Sequence, residues 1–254
     1  MANPMYGQNK FDSKVSERYD NKFKYVFDEL PTPASGAAAN QLLAGADDEL
    51  FTHTYTSGLK LYGNYVGANT VDIPPAHADG VEYSMTDTDN IGCQFTVGPF
   101  PGAKGREGET VFTVGTAACY AKLKLKITDV SGTDDLQFGF RLASDAVETT
   151  YVAYSDFASL NVDGGDIKYE TNLNGGTATS ADSGSDWIDD QVGTLEVRVS
   201  QAGVATFYHN GSQLTSSAPT FTFDTGDIIT PVFYFRNASD TTDVILQEIE
   251  FGLL

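Results

Sequence analysis

Hydrophobic side chains fall into two regimes along the 254-residue chain. Near the amino end Phe11, Val15, Tyr19, Phe23 and Phe27 recur at every fourth position, with Val26 and Leu30 beside the last two. That spacing returns a side chain to one side of an α-helix and predicts an amphipathic helix of about four or five turns. Asp12 or Ser13 stands where it can cap the start, and Pro31 with Pro33 ends the pattern. The stretch ASGAAANQLLAGADDE follows at 34–49, and its small and polar residues predict a linker. Residues 1–50 therefore read as an arm with its linker, and 51–254 as a body.

In the body, short alternating or apolar runs are separated by Gly, Asn, Asp and Ser, the pattern of antiparallel strands in an all-β sandwich or barrel. The clearest run is 120–127, where Leu123, Leu125 and Ile127 alternate with Lys122, Lys124 and Lys126. One face of that strand is dry and the other carries three ammonium groups. Further predicted strands are LKLYGNYV, VEYSM, GCQFTV, TVFTV, LQFGFRL, TTYVAYSD, ASLNV, IKYET, TLEVRVS, ATFYHNG, PTFTF, ITPVFYFRN and VILQEIEF. In QAGVATFYHNGSQL, Gly203 and the pair Asn210-Gly211 bracket alternating residues and predict two tight hairpin turns in succession. No repeat of fixed period is visible, which disfavours a propeller or solenoid.

Charge separates the two parts further. The chain has 15 Lys+Arg against 35 Asp+Glu, a net of −20. Residues 1–30 hold five of each sign, so the rest carries 10 basic and 30 acidic side chains. A field of that sign repels phosphate backbones and anionic lipid, so neither nucleic acid nor membrane is an expected partner. No apolar run reaches the roughly 18 residues of a membrane helix, and MANPMYGQNKFD lacks a signal-peptide pattern, so synthesis in a host cytoplasm without export is expected. Cys93 and Cys119 match no metal or redox spacing; a single disulfide is open, with two buried free thiols the simpler state. His53, His77 and His209 are scattered, and no metal or other cofactor is expected.

The segments TLEVRVSQAGVATFYHNG, FDTGDIITPVFYFRN and VILQEIEF resemble the concanavalin A-like jelly roll of lectins, laminin-G-like modules and glucanases. The resemblance implies a fold and not an activity. The opening MANPMYGQNKFD is similar to the start of small virion structural proteins of tailed bacteriophages. Together these imply a non-enzymatic capsid decoration, or cement, protein on the virion surface. Its partners would be the major capsid protein and further copies of itself, as trimer or dimer. A fibre or spike-base protein with a glycan-binding, lectin-like jelly roll is the alternative, and a glucanase a third.

Each chemistry has a residue set to examine. A glucanase needs carboxylates about 5 to 9 Å apart in a cleft. Glu248 and Glu250 lie on one side of the last predicted strand about 7 Å apart, but Ile249 and Phe251 then take the opposite, buried face, so a solvated strand face is the expected explanation. Asp182, Asp186, Asp189 and Asp190 crowd DSGSDWIDD without calcium-loop spacing, and Asp163 and Asp166 in NVDGGD suit a turn. Trp187 is the candidate sugar platform, with Tyr169, Asn172 and Asn174 as polar neighbours; a Trp in a sandwich loop also serves as a plug over the core edge. Lys104 and Arg106 in PGAKGREGE lack the context of a phosphate cradle, and the sequons at Asn210 and Asn237 suit turns.

The remaining feature is the arm. Phe11, Val15, Tyr19, Phe23 and Phe27 would each contribute about 1.5 to 3 kcal/mol on burial, which a lone helix cannot achieve. The helix either folds back on its own sandwich or docks on other copies or a capsid shell, with the nearly neutral arm better able than the acidic body to approach a surface. On the docking alternative, a chain lacking residues 1–33 is expected to fold as a soluble sandwich that no longer joins particles.

Overall fold

A computed structural model of the chain describes residues 22–27, 41–45, 50–54, 60–66, 69–73, 79–84, 92–97, 111–145, 151–237 and 242–254. The strands in order are β1 (Lys22–Val26), β2 (Gln41–Gly45), β3 (Leu50–Thr54), β4 (Lys60–Val66), β5 (Asn69–Ile73) and β6 (Val81–Ser84). Then come β7 (Gly92–Thr96), β8 (Phe112–Thr113), β9 (Cys119–Ile127), β10 (Thr133–Leu142), β11 (Phe157–Asp163) and β12 (Asp166–Asn172). The last six are β13 (Thr179–Asp186), β14 (Val192–Val199), β15 (Ala205–His209), β16 (Ser212–Gln213), β17 (Ile228–Asn237) and β18 (Asp243–Leu253). The only helical pieces among the described residues are 3₁₀ turns at Val130–Gly132 and Tyr151–Ala153.

Two nine-stranded sheets, antiparallel throughout, make a sandwich. Sheet A runs β16-β15-β14-β9-β18-β6-β5-β2, with β1 also on β18; sheet B runs β13-β12-β11-β10-β17-β7-β4-β3, with β8 also on β17. The all-β sandwich is the expected architecture and is consistent with a jelly roll. Between the sheets Leu123, Leu125 and Ile127 of β9 meet a core that includes Phe138 and Phe140 of β10, Leu160 and Val162 of β11, and Phe233 and Phe235 of β17. Lys122, Lys124 and Lys126 take the other side of β9, each half-buried. The paired hairpin turns also form. Gly203 adopts φ +87° between β14 and β15, and Asn210 and Gly211 adopt φ +50° and +78° between β15 and β16.

The helical arm does not form over its last turns. Residues 22–26 are a strand, with Lys22 opposite Gly252 and Val26 opposite Glu248 of β18. A four-residue spacing is commensurate with a strand's period of two, so Phe23 and Phe27 share a face in either conformation. Tyr25 decides between them: a strand puts it beside Phe23 and Phe27, and all three are buried in the common core. Phe23 stacks on Phe251 at 5.7 Å, and the Phe27 N–H donates to the Gln247 carbonyl at 2.8 Å. Phe11, Val15 and Tyr19 lie outside the described residues. The stretch read as linker also supplies a strand, β2, which pairs with β5.

Two other expectations fail for local reasons. The described part of TTYVAYSD, 151–156, is no strand: Tyr151 and Tyr154, with Phe157 just beyond, recur every third residue, and the chain makes a 3₁₀ turn at Tyr151–Ala153. PTFTF forms only the isolated bridge of Thr222 with Val204, and the T-junction of Phe221 with Phe223 buries both rings against the core.

β18 carries a bulge that the sandwich requires. Leu246 stands opposite Leu125 but Glu248 stands opposite Lys124, so Gln247 is extra. The inward set before it is Val244 and Leu246, and after it Ile249 and Phe251. Without the extra residue Glu248 and Glu250 would turn toward the core.

Because β1 is part of the core, removing residues 1–33 would strip a strand instead of freeing a tether. Phe27→Ala is expected to cost about 3 to 5 kcal/mol, or about 10 °C in Tm, read by thermal denaturation. Val26→Ala, on the outer side of the same strand, is expected to stay within about 0.5 kcal/mol.

Candidate functional site

Sheet B has a second face, turned away from the core, and it is made of polar residues in register. Gln137 of β10 lies between Asn161 of β11 and Tyr234 of β17, and Tyr234 is followed by Gln94 of β7. The neighbouring row holds Glu170 of β12 beside Ser159. Asp135 stands opposite Arg236 across β10 and β17. Gln94, Gln137, Arg141, Ser159, Asn161 and Glu170 are all buried, which is unusual for a sheet's outward side.

Their hydrogen bonds fix one another's orientation. The Asn161 carbonyl oxygen accepts from the Leu136 N–H at 3.0 Å, leaving its NH₂ to donate to both carboxylates, Asp135 at 3.0 Å and Glu170 at 3.1 Å. Gln137 donates to the other Glu170 oxygen at 2.8 Å and accepts from the Ser159 hydroxyl at 3.1 Å. Arg236 donates to Asp135 at 2.6 Å. Burial pushes the Glu170 carboxyl above its ordinary range, the two amide donors pull it back, and the Asp135 charge raises it.

The chain covers this face with its own aromatics. Tyr151, Tyr154, Phe157, Val232 and Tyr234 form a second apolar cluster, with the Tyr151 ring 4.7 Å from Phe157 and 5.8 Å from Tyr234. The Tyr154 hydroxyl donates to Gln94 at 2.6 Å, and the Arg141 guanidinium lies 4.9 Å from the Tyr154 ring centre. Asp145 anchors the covering segment through the Ser155 N–H at 2.9 Å, as does the Asn174 N–H through Asp156 at 2.5 Å. The Tyr151 hydroxyl is buried beside Ser159, and burial raises its pKa. The apolar cavity lined by Phe27, Leu61, Phe95, Leu123, Phe138 and Leu246 belongs to the inter-sheet core.

Trp187 is 1% exposed, so it is not a sugar platform. Its indole fills the space over Gly193, where a Cβ would come within 2.7 Å of the ring, and stacks on His209 at 5.4 Å. This is the plug over the core edge. His209 itself is held by an oriented pair of contacts. The Asn210 carbonyl oxygen accepts from the Thr194 N–H at 2.9 Å, so its NH₂ faces His209 Nε2 at 3.0 Å. Nε2 is therefore the acceptor, and Nδ1 carries the proton toward Ser185 Oγ at 2.9 Å.

Glu248 and Glu250 serve the outer face of sheet A. Glu248 pairs with Lys24 at 3.0 Å and Glu250 accepts from the Tyr120 hydroxyl. The acidic run is likewise engaged. Asp182 and Asp186 lie on β13, Asp189 accepts from the Val130 N–H at 2.9 Å and Asp190 pairs with Lys126 at 2.6 Å. Among the described residues no group of three or more His, Cys, Asp or Glu could hold a metal ion. Tyr169 points into the core while Asn172 donates to the Tyr154 carbonyl at 2.9 Å, so they do not gather around Trp187. Lys104 and Arg106 lie outside the described residues. Cys93 on β7 and Cys119 on β9 are free and buried in different sheets; burial raises both thiols, Cys119 to about 12.

Sequence reasoning missed the sheet B network. Its signal was the run of Gln, Asn, Ser and Glu at alternate positions of LQFGFRL, ASLNV and IKYET, three strands that are consecutive along the chain.

No known family model matches the sequence, and no curated protein does. Among solved structures, the Emp47p carbohydrate recognition domain is similar over 90% of this chain and 95% of that one, at 12% identity and a TM-score of 0.49. The potassium-bound Emp46p carbohydrate recognition domain is similar over 68% and 84%, at 8% identity and 0.48. A botulinum neurotoxin type C structure, described as binding two ganglioside molecules, is similar over 83% of this chain at 10% identity and 0.44; the chain spans about half its length. Likenesses this distant carry no function across.

Two outcomes are expected. Asn161→Ala removes the donor shared by the buried Glu170 and the half-buried Asp135 carboxylates and should cost about 3 kcal/mol in denaturant titration. Burial lowers the His209 pKa below its ordinary 6.5. The unfolded chain then takes up a proton that the folded one refuses, so this contribution is present above pH 6.5 and lost as pH falls through the depressed value. Wild-type Tm should drop relative to His209→Gln across that window and run parallel to it above.

Proposed function

We propose that the protein is a non-enzymatic virion structural protein, a decoration or cement protein that binds the exterior of a phage head and ties capsomers together. The observation that carries this reading is that the sheet B face is filled by the chain's own Tyr151–Asp156 segment. Trp187, Glu248 and Glu250 are likewise committed to packing or to internal partners. What is left to act is the outer surface of a chain of net charge −20, together with the phage-like opening of the sequence. Such a surface suits a solvent-facing position on a particle, where binding stabilises the assembled state by mass action. The partners are the major capsid protein and further copies of the chain, as trimer or dimer.

A second reading is favoured by one feature. Asp135, Glu170, Asn161 and Gln137 are the carboxylate and amide groups that recognise sugar hydroxyls, set beneath aromatic rings. On that reading the protein is a glycan-binding fibre or spike-base module.

The two separate in a pair of measurements. Native mass of the protein alone and mixed with heads lacking it should show fixed-stoichiometry binding and heads that melt at higher temperature. A glycan array should show no sugar-dependent signal. Absence of head binding together with a glycan signal lost in Glu170→Gln would replace the first reading with the second.

A further inference from the structure

The chain has two Asn-Gly steps, Asn174–Gly175 and Asn210–Gly211, and the fold places both in the same backbone. Asn174 and Gly175 have φ +55° and +63°, and Asn210 and Gly211 have +50° and +78°. These are the paired left-handed central residues of tight turns, Asn210–Gly211 in the two-residue hairpin between β15 and β16 and Asn174–Gly175 inside the six-residue connection from β12 to β13. The first is closed by the Gly176 N–H on the Leu173 carbonyl at 3.1 Å.

The two turns differ in what holds the asparagine side chain. The Asn210 carboxamide is fixed at both ends, its oxygen by the Thr194 N–H and its nitrogen on His209. The Asn174 side chain is exposed, and no hydrogen bond among the described residues engages its carboxamide. Its backbone instead ties down the segment over sheet B. The Asn174 N–H donates to Asp156 at 2.5 Å, and the Gly175 N–H donates to the Ser155 carbonyl at 2.9 Å.

We propose that Asn174 is a site of spontaneous deamidation whose conversion unfastens the Tyr151–Asp156 segment from sheet B. The Gly175 nitrogen gives up its proton and attacks Asn174 Cγ, where a C–N bond forms. The Cγ–Nδ2 bond breaks, and the amide leaves with that proton equivalent as ammonia, closing a five-membered succinimide. Water then opens the ring at either carbonyl, leaving aspartate or isoaspartate. Gly175 has no side chain to obstruct the approach, and a Cβ there would meet nothing within 4 Å. At Asn174 the reaction forfeits one hydrogen bond, Gly175 to Ser155; at Asn210 it forfeits two on the carboxamide. One bond of difference corresponds to about a fivefold rate advantage for Asn174. The isoaspartyl product lengthens the main chain by a methylene and sets a new carboxylate near Asp156, so the two N–H groups no longer both reach Asp156 and Ser155.

The test is ageing of the intact protein at mildly alkaline pH, followed by peptide mapping and by hydrogen exchange on the aged and fresh fractions. Conversion is expected at Asn174 about fivefold ahead of Asn210, with faster exchange across 151–156 in the converted fraction. Asn174→Gly, which keeps the turn, should retain its protection on ageing. Conversion at Asn210 first would overturn the proposal. So would a folded chain that stays unconverted while an unstructured peptide of the same sequence reacts, or conversion that leaves the protection of 151–156 unchanged.

Discussion

The sandwich depends on keeping one strand in phase along its whole length. β18 is paired on one side by β9 from end to end, and on the other by β6 over its first half and by β1 over its second. Its apolar residues change phase between Leu246 and Ile249, and the bulge at Gln247 absorbs that change. The same point receives the Phe27 N–H, so β1 docks where β18 bends. Burying Phe23, Tyr25 and Phe27 against Phe251 and Ile249 gives residues 23–27 a structural role in the core.

The two outer faces are treated differently. Sheet A turns a ladder of Lys, Glu and Arg outward, in which Lys24 with Glu248 and Arg198 with Glu196 are partly solvated pairs. Such pairs contribute little individually but keep a sheet face soluble. Sheet B instead buries its polar groups beneath Tyr151 and Tyr154, where each carboxylate needs its own donors. That network is costly to assemble and specifies a single arrangement of β10, β11 and β12.

Much of this was legible in the residues. Alternation at Leu123, Leu125 and Ile127 marked a half-buried strand, and Asn210-Gly211 marked a hairpin, because both signals are local. Phe23 and Phe27 misled because a spacing of four fits helix and strand alike, and KFKYVF had to be read through Tyr25. Trp187 misled because burial of a loop residue depends on what lies across from it, here Gly193 and His209. The sheet B site was hidden for a related reason. Its polar residues look like an ordinary solvated face until Tyr151 and Tyr154, brought in by a 3₁₀ turn, close over them.

Native-state hydrogen exchange of β1 against β18 tests the central claim most directly. If the amino-terminal strand closes the sandwich, the amides of 23–27 that bond to β18 exchange only with global unfolding, at the same free energy as β9 and β18. Exchange of 23–27 through local fraying, while β18 keeps full protection, would make β1 an appendage and contradict the account.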